Sequence, residues 1–293
     1  MRLENKATLV STSVATVLVV MKLTIAIISG SVAVLASAID SLLDVSVSIF
    51  NFFVLQNSQK KPDSKFNHGR GKFEALAAVI EGTVIGMSAL FVLYQAIVKI
   101  IHFKHTTHLD ESMIIMIIST IATGLLVMFL VAVANKTHNM VIRADATHYK
   151  TDFISNIGVL IALYIMHLTH ISLVDPIVGI LIAAYMIYSA IPVIDEGVKM
   201  LLDASLEEDE LQKIKSLLDN SHEFNTYHFL RTRKAGQDIF ISAHLVFDMN
   251  TTLFDAHSVS DKIEIKLHNL FPNNNVHTTI HLDPYDDSEL YDA

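Results

Sequence analysis

Cysteine and tryptophan are both absent from this chain of 293 residues, and proline occurs only five times. Without cysteine the chain can form no disulfide, and any metal site must use His, Asp, Glu or backbone groups. Charged residues are also scarce, at 17%, whereas hydrophobic residues make up 52% of the chain. The mean hydropathy is +0.45. This composition excludes an ordinary soluble protein and is typical of an integral membrane protein with a smaller polar portion.

The formal net charge of −9 comes entirely from one part of the chain. Residues 1–204 hold 14 acidic and 14 basic side chains, whereas residues 205–293 hold 16 acidic and 7 basic ones. Long apolar runs also end at Leu202. We therefore predict a transmembrane domain at 1–204 and a separate domain at 205–293. The acidic charge of the second domain argues against nucleic-acid binding.

Six apolar segments are long enough to cross a lipid bilayer, which takes about 20 residues as a helix. Basic residues are most frequent in the connection at 56–72, whereas the connections at 102–111 and 168–172 hold only Lys104. Since cytoplasmic loops carry the excess of Lys and Arg, both the N-terminus and the tail are predicted to be cytoplasmic. The predicted multi-pass spans are 7–29, 32–55, 73–101, 112–134, 146–167 and 173–200.

The tail has the pattern of a small α+β domain. Helical periodicity follows Ser205 and recurs at 253–271, and strand-like runs occur at 227–234, 238–248 and 275–284. The predicted order is α-β-β-α-β, the arrangement of ferredoxin-like metallochaperone domains. The predicted fold is therefore an all-α membrane bundle of six helices followed by a cytoplasmic α+β domain.

Four ionisable residues lie inside two of the apolar segments. Asp40 and Asp44 are in the second segment, and His148 and Asp152 are in the fifth. Each pair is spaced i,i+4, so its two side chains share one helix face. A charge at the bilayer centre costs roughly 2.5–3.5 kcal/mol. A divalent cation bound by three carboxylates and one imidazole would offset that cost.

The donor set of this site favours particular metals. Mixed nitrogen and oxygen ligands suit Zn²⁺, Cd²⁺ or Fe²⁺ better than Ca²⁺ or Mg²⁺. The alternative is a structural role, in hydrogen bonds between helices or an ion pair with Lys22. Lys22 and Glu81 also lie within spans, and we expect them to pair or to extend toward the membrane surface.

Several stretches of the chain resemble the cation diffusion facilitator family, including its bacterial ferrous-iron/zinc efflux pumps. The resemblance covers nearly the whole length and implies that Asp40, Asp44, His148 and Asp152 form a tetrahedral transport site. It also implies proton antiport, a homodimer and a bacterial inner membrane. The matching stretches are SAIDSLLDVSVS, HGRGKFEALAA, IRADATHYKTDFISN, HFLRTRKAG and HLDP.

The resemblance further implies a pair of zinc ions in the tail, near the dimer interface. Independently, His281 and Asp283 alternate along a predicted strand and therefore share a face. The alternative is that these histidines are simply solvated. The residues that match the family's ligand positions are His228, His244, His257, His281 and Asp283.

The connection before the third span matches the family only in part. Family members often place an Asp and two His there, but here Phe66 and Arg70 stand at the His positions. Asp63 matches, and His68 is displaced. A weak metal site at Asp63 and His68 is therefore predicted, with a basic loop facing anionic lipid as an equal alternative.

Lys72 matches a lysine that pairs, in the family, with an aspartate at the end of the sixth span. Asp203 is the corresponding residue here, and a Lys72–Asp203 pair would couple the two domains.

Taken together, these patterns predict a proton-coupled antiporter that exports divalent transition-metal cations, most of all Zn²⁺, which is also the expected regulatory ion of the tail. The alternatives are Fe²⁺, Cd²⁺ or Mn²⁺ as main cargo, or a passive divalent-cation channel or metal sensor. A membrane metalloenzyme would need a hydrolytic signature such as H-E-x-x-H, which does not occur in the sequence. We therefore expect no enzyme activity.

Overall fold

The structure is a computed structural model that describes residues 3–29, 32–102, 109–169 and 173–290. The chain divides into two compact units, Met1–Val198 and Lys199–Ala293. The described part of the first unit is helical, and the second combines helices with a three-stranded sheet. The predicted fold class is therefore confirmed.

Six long helices of 27 to 31 residues are found in the described N-terminal part. Among the described residues, three stretches are long and apolar enough to cross a membrane: Lys72–Val98, Ile117–Thr137 and Pro176–Leu201. Helix α5 (Met140–Thr169) is 30 residues long, but several ionisable residues in its first half lower the mean hydropathy of the helix. The helices are α1 (Leu3–Ser29), α2 (Val32–Ser58), α3 (Lys72–His102), α4 (Leu109–Thr137), α5 (Met140–Thr169) and α6 (Val174–Leu201).

The helices of this unit pack through small and aliphatic side chains and leave large apolar side chains outside. Val17, Met87 and Leu181 are each more than 60% exposed, as expected for side chains that face lipid. One buried cluster joins five helices, α1 to α5. Its members include Ala7, Leu55, Ala77, Leu130, Ile142 and Tyr149.

A buried carboxylate, Glu74, connects three of these helices. Its Oε1 accepts a hydrogen bond from the Ser58 hydroxyl at 3.0 Å, and its Oε2 accepts one from the Asn139 amide at 2.8 Å. The side-chain Oδ1 of Asn139 in turn accepts a hydrogen bond from the backbone N–H of Ile142 at 3.2 Å, which satisfies a free donor in the first turn of α5. Glu74 thereby fixes the end of α2 and the starts of α3 and α5.

Close packing of α3 against α6 depends on Gly197. A methyl group there would lie 2.7 Å from Val79 Cγ2 and 2.9 Å from the carbonyl oxygen of Ala75. The second of these is a backbone atom, which can shift only at a large cost in free energy. We expect Gly197→Ala to destabilise the protein by about 1–3 kcal/mol through overpacking. The measurement is the midpoint temperature at which the monodisperse peak is lost on size-exclusion chromatography in detergent.

Gly86 provides the matched control for this substitution. No described atom lies within 4 Å of a Cβ built on Gly86. Gly86→Ala should therefore be neutral or stabilising, by up to about 1 kcal/mol from helix propensity. An equal midpoint for the two variants would show that α3 and α6 do not pack this closely.

The tail unit has the predicted order of helices and strands. Strands β1 and β2 form an antiparallel hairpin that turns at Gly236, whose φ is 63°, and β3 pairs parallel to β2 after the crossover helix α8. The elements are α7 (Glu208–Asp219), β1 (Thr226–Ala235), β2 (Asp238–Val246), α8 (Leu253–Leu270), β3 (Asn275–Asp283) and a short 3₁₀ turn (Ser288–Leu290).

Both tail helices cover the same face of this sheet. Ile239, Ile241 and Leu245 alternate along β2 and pack with residues of α7 and α8, such as Ile214 and Ile263. Since side chains alternate between faces along a strand, His244 points away from the helices. This opposite face carries the chemistry of the tail.

Candidate metal centres

Three of the four predicted transport-site residues are brought together between α2 and α5. The Nε2 atom of His148 lies 3.2 Å from Asp44 Oδ1 and 3.5 Å from Asp152 Oδ2. The His148 side chain is 7% exposed, whereas the two carboxylates are 27% and 30% exposed. Asp40 belongs to α2, one turn before Asp44, but its side chain lies outside the described residues.

The spacing of these atoms suits a small tetrahedral ion. Bonds of about 2.0–2.1 Å in a tetrahedron separate the ligand atoms by about 3.3–3.4 Å. The two distances from His148 Nε2 bracket that value. The group therefore has the donor types and the spacing that a zinc-sized cation requires.

Two further carboxylates are buried in the same unit. Glu81 on α3 is 1% exposed, and its Oε2 accepts a hydrogen bond from the Asn51 amide at 3.0 Å. Asp145, one turn before His148 on α5, is 0% exposed. Glu81 is therefore buried and does not extend toward the surface. Sequence reasoning did not connect Asp145 with His148, although the i,i+3 spacing of the two residues pointed to the same helix face.

A row of three imidazoles crosses the outer face of the tail sheet. His228 on β1 pairs in register with His244 on β2, which pairs with His281 on β3. The ring centroids lie 5.0 Å apart for the first pair and 4.6 Å apart for the second. Four predicted ligands meet here, because Asp283 follows His281 on the same face of β3.

Asp283 connects the members of this row. Its Oδ2 lies 2.9 Å from His244 Nδ1 and 3.3 Å from His228 Nε2, and its Oδ1 lies 3.0 Å from His281 Nε2. The Asp283 side chain is only 6% exposed. The Oδ2 atom of this carboxylate thus faces two imidazoles and its Oδ1 atom faces the third. Such an arrangement suits either one metal ion or two ions bridged by the carboxylate.

A β-bulge orients His228 toward the row. Between the paired positions His228 and Arg231, β1 holds two residues where β2 holds one. Phe229 adopts a φ of 49°, a left-handed conformation that is strained for a bulky residue and costs roughly 1–3 kcal/mol. Its ring packs against His228 and His244, at centroid distances of 4.7 and 5.2 Å. Bulges of this kind redirect side chains and are frequent at functional sites.

The structure places His257 apart from this cluster. His257 lies on α8, which packs on the opposite face of the sheet, and its side chain is 70% exposed and 3.7 Å from Asp261. Conversely, Asp287 joins the cluster, with its Oδ1 3.2 Å from His228 Nε2. Sequence reasoning missed Asp287; the acidic pair that follows the HLDP stretch was the available signal.

The loop before α3 is held together without a metal. Asp63 Oδ1 accepts the backbone N–H groups of Lys65 and Phe66 at 2.9 and 2.8 Å, and Asp63 Oδ2 pairs with Arg70. The Phe66 N–H is the main cause that lowers the pKa of Asp63. The Arg70 guanidinium also lies over the Phe66 ring, 4.5 Å from its centroid.

The weak loop site predicted at Asp63 and His68 stays a prediction. His68 is exposed, and within the described residues it joins no group of three potential metal ligands. Asp63 already uses its oxygens in the loop, so a metal would have to displace these bonds.

Lys72 begins α3, and Asp203 follows α6 with a φ of 57° and lies 3.4 Å from Arg233. A pair between Lys72 and Asp203 would join the two compact units and stays a prediction.

A helical membrane unit with an intramembrane Asp–His–Asp group, joined to an α+β unit with a histidine row, defines a membrane protein that handles metal cations. Residues 8–202 match the model of the cation efflux transmembrane domain, and residues 206–285 match that of the cation efflux protein cytoplasmic domain. The chain belongs to the cation diffusion facilitator family and is a cation efflux transporter.

Similar proteins cover almost the entire chain. The cation-efflux pump FieF of Pectobacterium carotovorum is 35% identical over 284 residues, which is 97% of this chain and 93% of the relative. FieF of Escherichia coli (strain K12 / DH10B) is 33% identical over 287 residues, with the same two shares. Protein p34 of Rickettsia prowazekii is 30% identical over 284 residues, again with 97% and 93% coverage. These relatives are bacterial, and the family match makes the chain a membrane protein.

Proposed function

We propose that this transporter exports divalent transition-metal cations from the cytoplasm in exchange for protons, with Zn²⁺ as the main cargo. The observation that carries the proposal is the Asp44–His148–Asp152 group, in which a nearly buried imidazole stands between two partly exposed carboxylates. Asp40, one helical turn from Asp44, is the proposed fourth ligand.

The donor chemistry supports a divalent transition metal as cargo. Ca²⁺ takes six to eight oxygen ligands and Mg²⁺ keeps several waters, so neither suits a small group that contains an imidazole. Zn²⁺ is bound by imidazole and carboxylate in tetrahedral sites. Fe²⁺, Cd²⁺ and Mn²⁺ are the alternative cargoes.

Competition for the same atoms supports coupling to protons. Metal binding requires a neutral imidazole and ionised carboxylates, so binding expels protons and protonation releases the metal. His148 is the proposed coupling group, because imidazole can act both as a neutral metal ligand and as a proton carrier. Since the ligands come from both α2 and α5, relative movement of these helices would open the site to alternate sides of the membrane.

The tail is proposed to bind regulatory Zn²⁺ and to hold a homodimer together. His228, His244, His281 and Asp283 supply imidazole and carboxylate ligands, and the buried His228 Nε2 makes no aligned hydrogen bond within the described part of the chain. A buried polar group without a partner is unusual, and a bound ion would satisfy it. When bound, Zn²⁺ would link the three strands through their side chains. The proposed location is the bacterial inner membrane, with both termini in the cytoplasm.

The test is Zn²⁺ transport into proteoliposomes that contain a metal-sensitive dye and a pH-sensitive dye. The wild type should move Zn²⁺ one way and protons the other, and His148→Ala should lose both fluxes. His222→Ala, which removes an exposed imidazole from the tail, is the matched control and should behave as the wild type. Zn²⁺ flux without protons would indicate a passive channel, and flux of Fe²⁺, Cd²⁺ or Mn²⁺ alone would identify a different cargo.

A further inference from the structure

We propose that Asp287 is a protein ligand of the tail metal site, which it closes together with His228, His244 and Asp283. The metal would then fasten the segment that follows β3 to the sheet. This inference rests on one part of the proposed function, namely that the tail binds a metal ion.

The distances place Asp287 in the site as firmly as its neighbours. His228 Nε2 lies 3.2 Å from Asp287 Oδ1 and 3.3 Å from Asp283 Oδ2. One ligand atom from each of the four side chains lies within 4.8 Å of all the others. These separations resemble the edges of about 3.3–3.4 Å expected in a tetrahedral zinc site.

Burial provides a second, independent indication of a ligand. The His228 side chain is 10% exposed, and that of Asp287 is 17% exposed. His228 Nε2 and Asp287 Oδ1 are buried and lie 3.2 Å apart, yet neither atom makes an aligned hydrogen bond among the described residues. Polar atoms buried in this way cost free energy unless something binds them, and one cation between them would satisfy both groups.

The chain directs only one of two adjacent acidic side chains into the site. Asp286 Oδ1 accepts the backbone N–H of Ser288 at 3.0 Å, at the start of the 3₁₀ turn. The Ser288 hydroxyl and N–H both lower the pKa of Asp286, whose side chain stays exposed. Asp287, the next residue, faces His228. Asp286 is therefore a natural control for any effect of charge alone.

Asp287 as a fourth ligand would change both the net charge and the coordination number of the site. Two neutral imidazoles with Asp283 alone would leave one positive charge uncompensated and one position open to water. Adding Asp287 balances a divalent ion and fills a tetrahedral shell, the pattern of structural zinc sites. We therefore expect a tightly held ion that stabilises the tail, rather than one that exchanges quickly with solvent.

The experiment uses the full-length protein in detergent with the transport site disabled by Asp44→Asn and His148→Ala. Co²⁺ is added as a spectroscopic probe, and Zn²⁺ is then used to displace it. Because the chain contains no cysteine, Asp287→Cys introduces a single thiol. A thiolate bound to Co²⁺ gives a charge-transfer band in the near ultraviolet, which reports direct coordination at position 287.

We expect Asp287→Cys to show this band and Asp286→Cys to lack it. We also expect Asp287→Asn to weaken Zn²⁺ binding by about 100-fold or more, because changes in residues that merely support a ligand already cost 10- to 100-fold. Asp286→Asn should leave the affinity unchanged. The Co²⁺ absorption in the visible range should lose intensity in Asp287→Asn, as a water molecule replaces the carboxylate.

The variant His244→Ala distinguishes a failure of the Asp287 proposal from a failure of the tail metal site itself. If His244→Ala abolishes tail binding while the position-287 variants match their position-286 controls, the tail site stands and Asp287 is not a ligand. If His244→Ala leaves the Co²⁺ titration unchanged, no metal binds at this cluster, and both this inference and the tail part of the proposed function are overturned.

Discussion

Asp44→Asn should reduce Zn²⁺ flux by at least about 100-fold while the protein still folds. The substitution keeps the shape of the side chain but removes one of the charges that we propose to bind the ion next to His148 Nε2. Changes in residues that merely support a metal ligand already cost 10- to 100-fold in affinity or activity, so the loss of a ligand should cost more. The measurement is the initial rate of Zn²⁺ uptake into proteoliposomes under an imposed pH gradient.

A matched control separates this effect from a general loss of charge. Asp209→Asn makes the same chemical change on the exposed surface of α7 and should leave the rate unchanged. Circular dichroism and size-exclusion profiles of both variants should match the wild type. Wild-type uptake in Asp44→Asn would show that the ion does not pass through the Asp–His–Asp group.

Glu74→Ala should lower the free energy of unfolding by about 2–4 kcal/mol. The Asn139 amide would be left buried without its acceptor, and such a loss costs about 1–3 kcal/mol, or more when the missing partner is charged. Ser58 would lose less, because its hydroxyl already lies 3.1 Å from the Leu55 carbonyl oxygen. Since the chain has no tryptophan, the loss of helical circular dichroism on heating is the better measurement.

Two further variants serve as an intermediate case and as a control for this prediction. Glu74→Gln keeps one acceptor oxygen and should show an intermediate loss of stability. Glu208→Ala removes an exposed carboxylate whose hydrogen bond to Gln212 joins neighbouring turns of α7, and should change stability by less than about 0.5 kcal/mol. A melting curve for Glu74→Ala that overlays the wild type would contradict the bridging role of Glu74 between helices.

The fold was largely predictable because its signals are local. Apolar runs of about 20 residues indicate helices whatever they pack against, and the two strand-like runs around Gly236 indicate a hairpin. The buried contacts within the bundle were not predictable in the same way. Glu81 carried no signal of its hydrogen bond to Asn51, because that bond depends on which faces of α2 and α3 meet.

In the candidate sites too, contacts within one helix or strand were predictable, whereas contacts between elements were not. The i,i+4 pairs placed His148 and Asp152 on one face from spacing alone, whereas the approach of Asp44 depends on the packing of α2 against α5. In the tail, no local pattern indicated that a bulge at Phe229 turns His228 toward the row. Nor could spacing show that α8 carries His257 to the far side of the sheet.

The histidine row on the outer face of the tail has a practical consequence for purification. Three imidazoles about 5 Å apart on one face of the sheet, of which His281 is the most exposed, resemble a short affinity tag. They offer the ligands that Ni²⁺ and Cu²⁺ prefer. In the Irving–Williams order Cu²⁺ outcompetes Zn²⁺ for such nitrogen ligands. Protein eluted from a nickel column would therefore carry foreign metal in the tail, and metal content should be measured on material prepared without chelated metal.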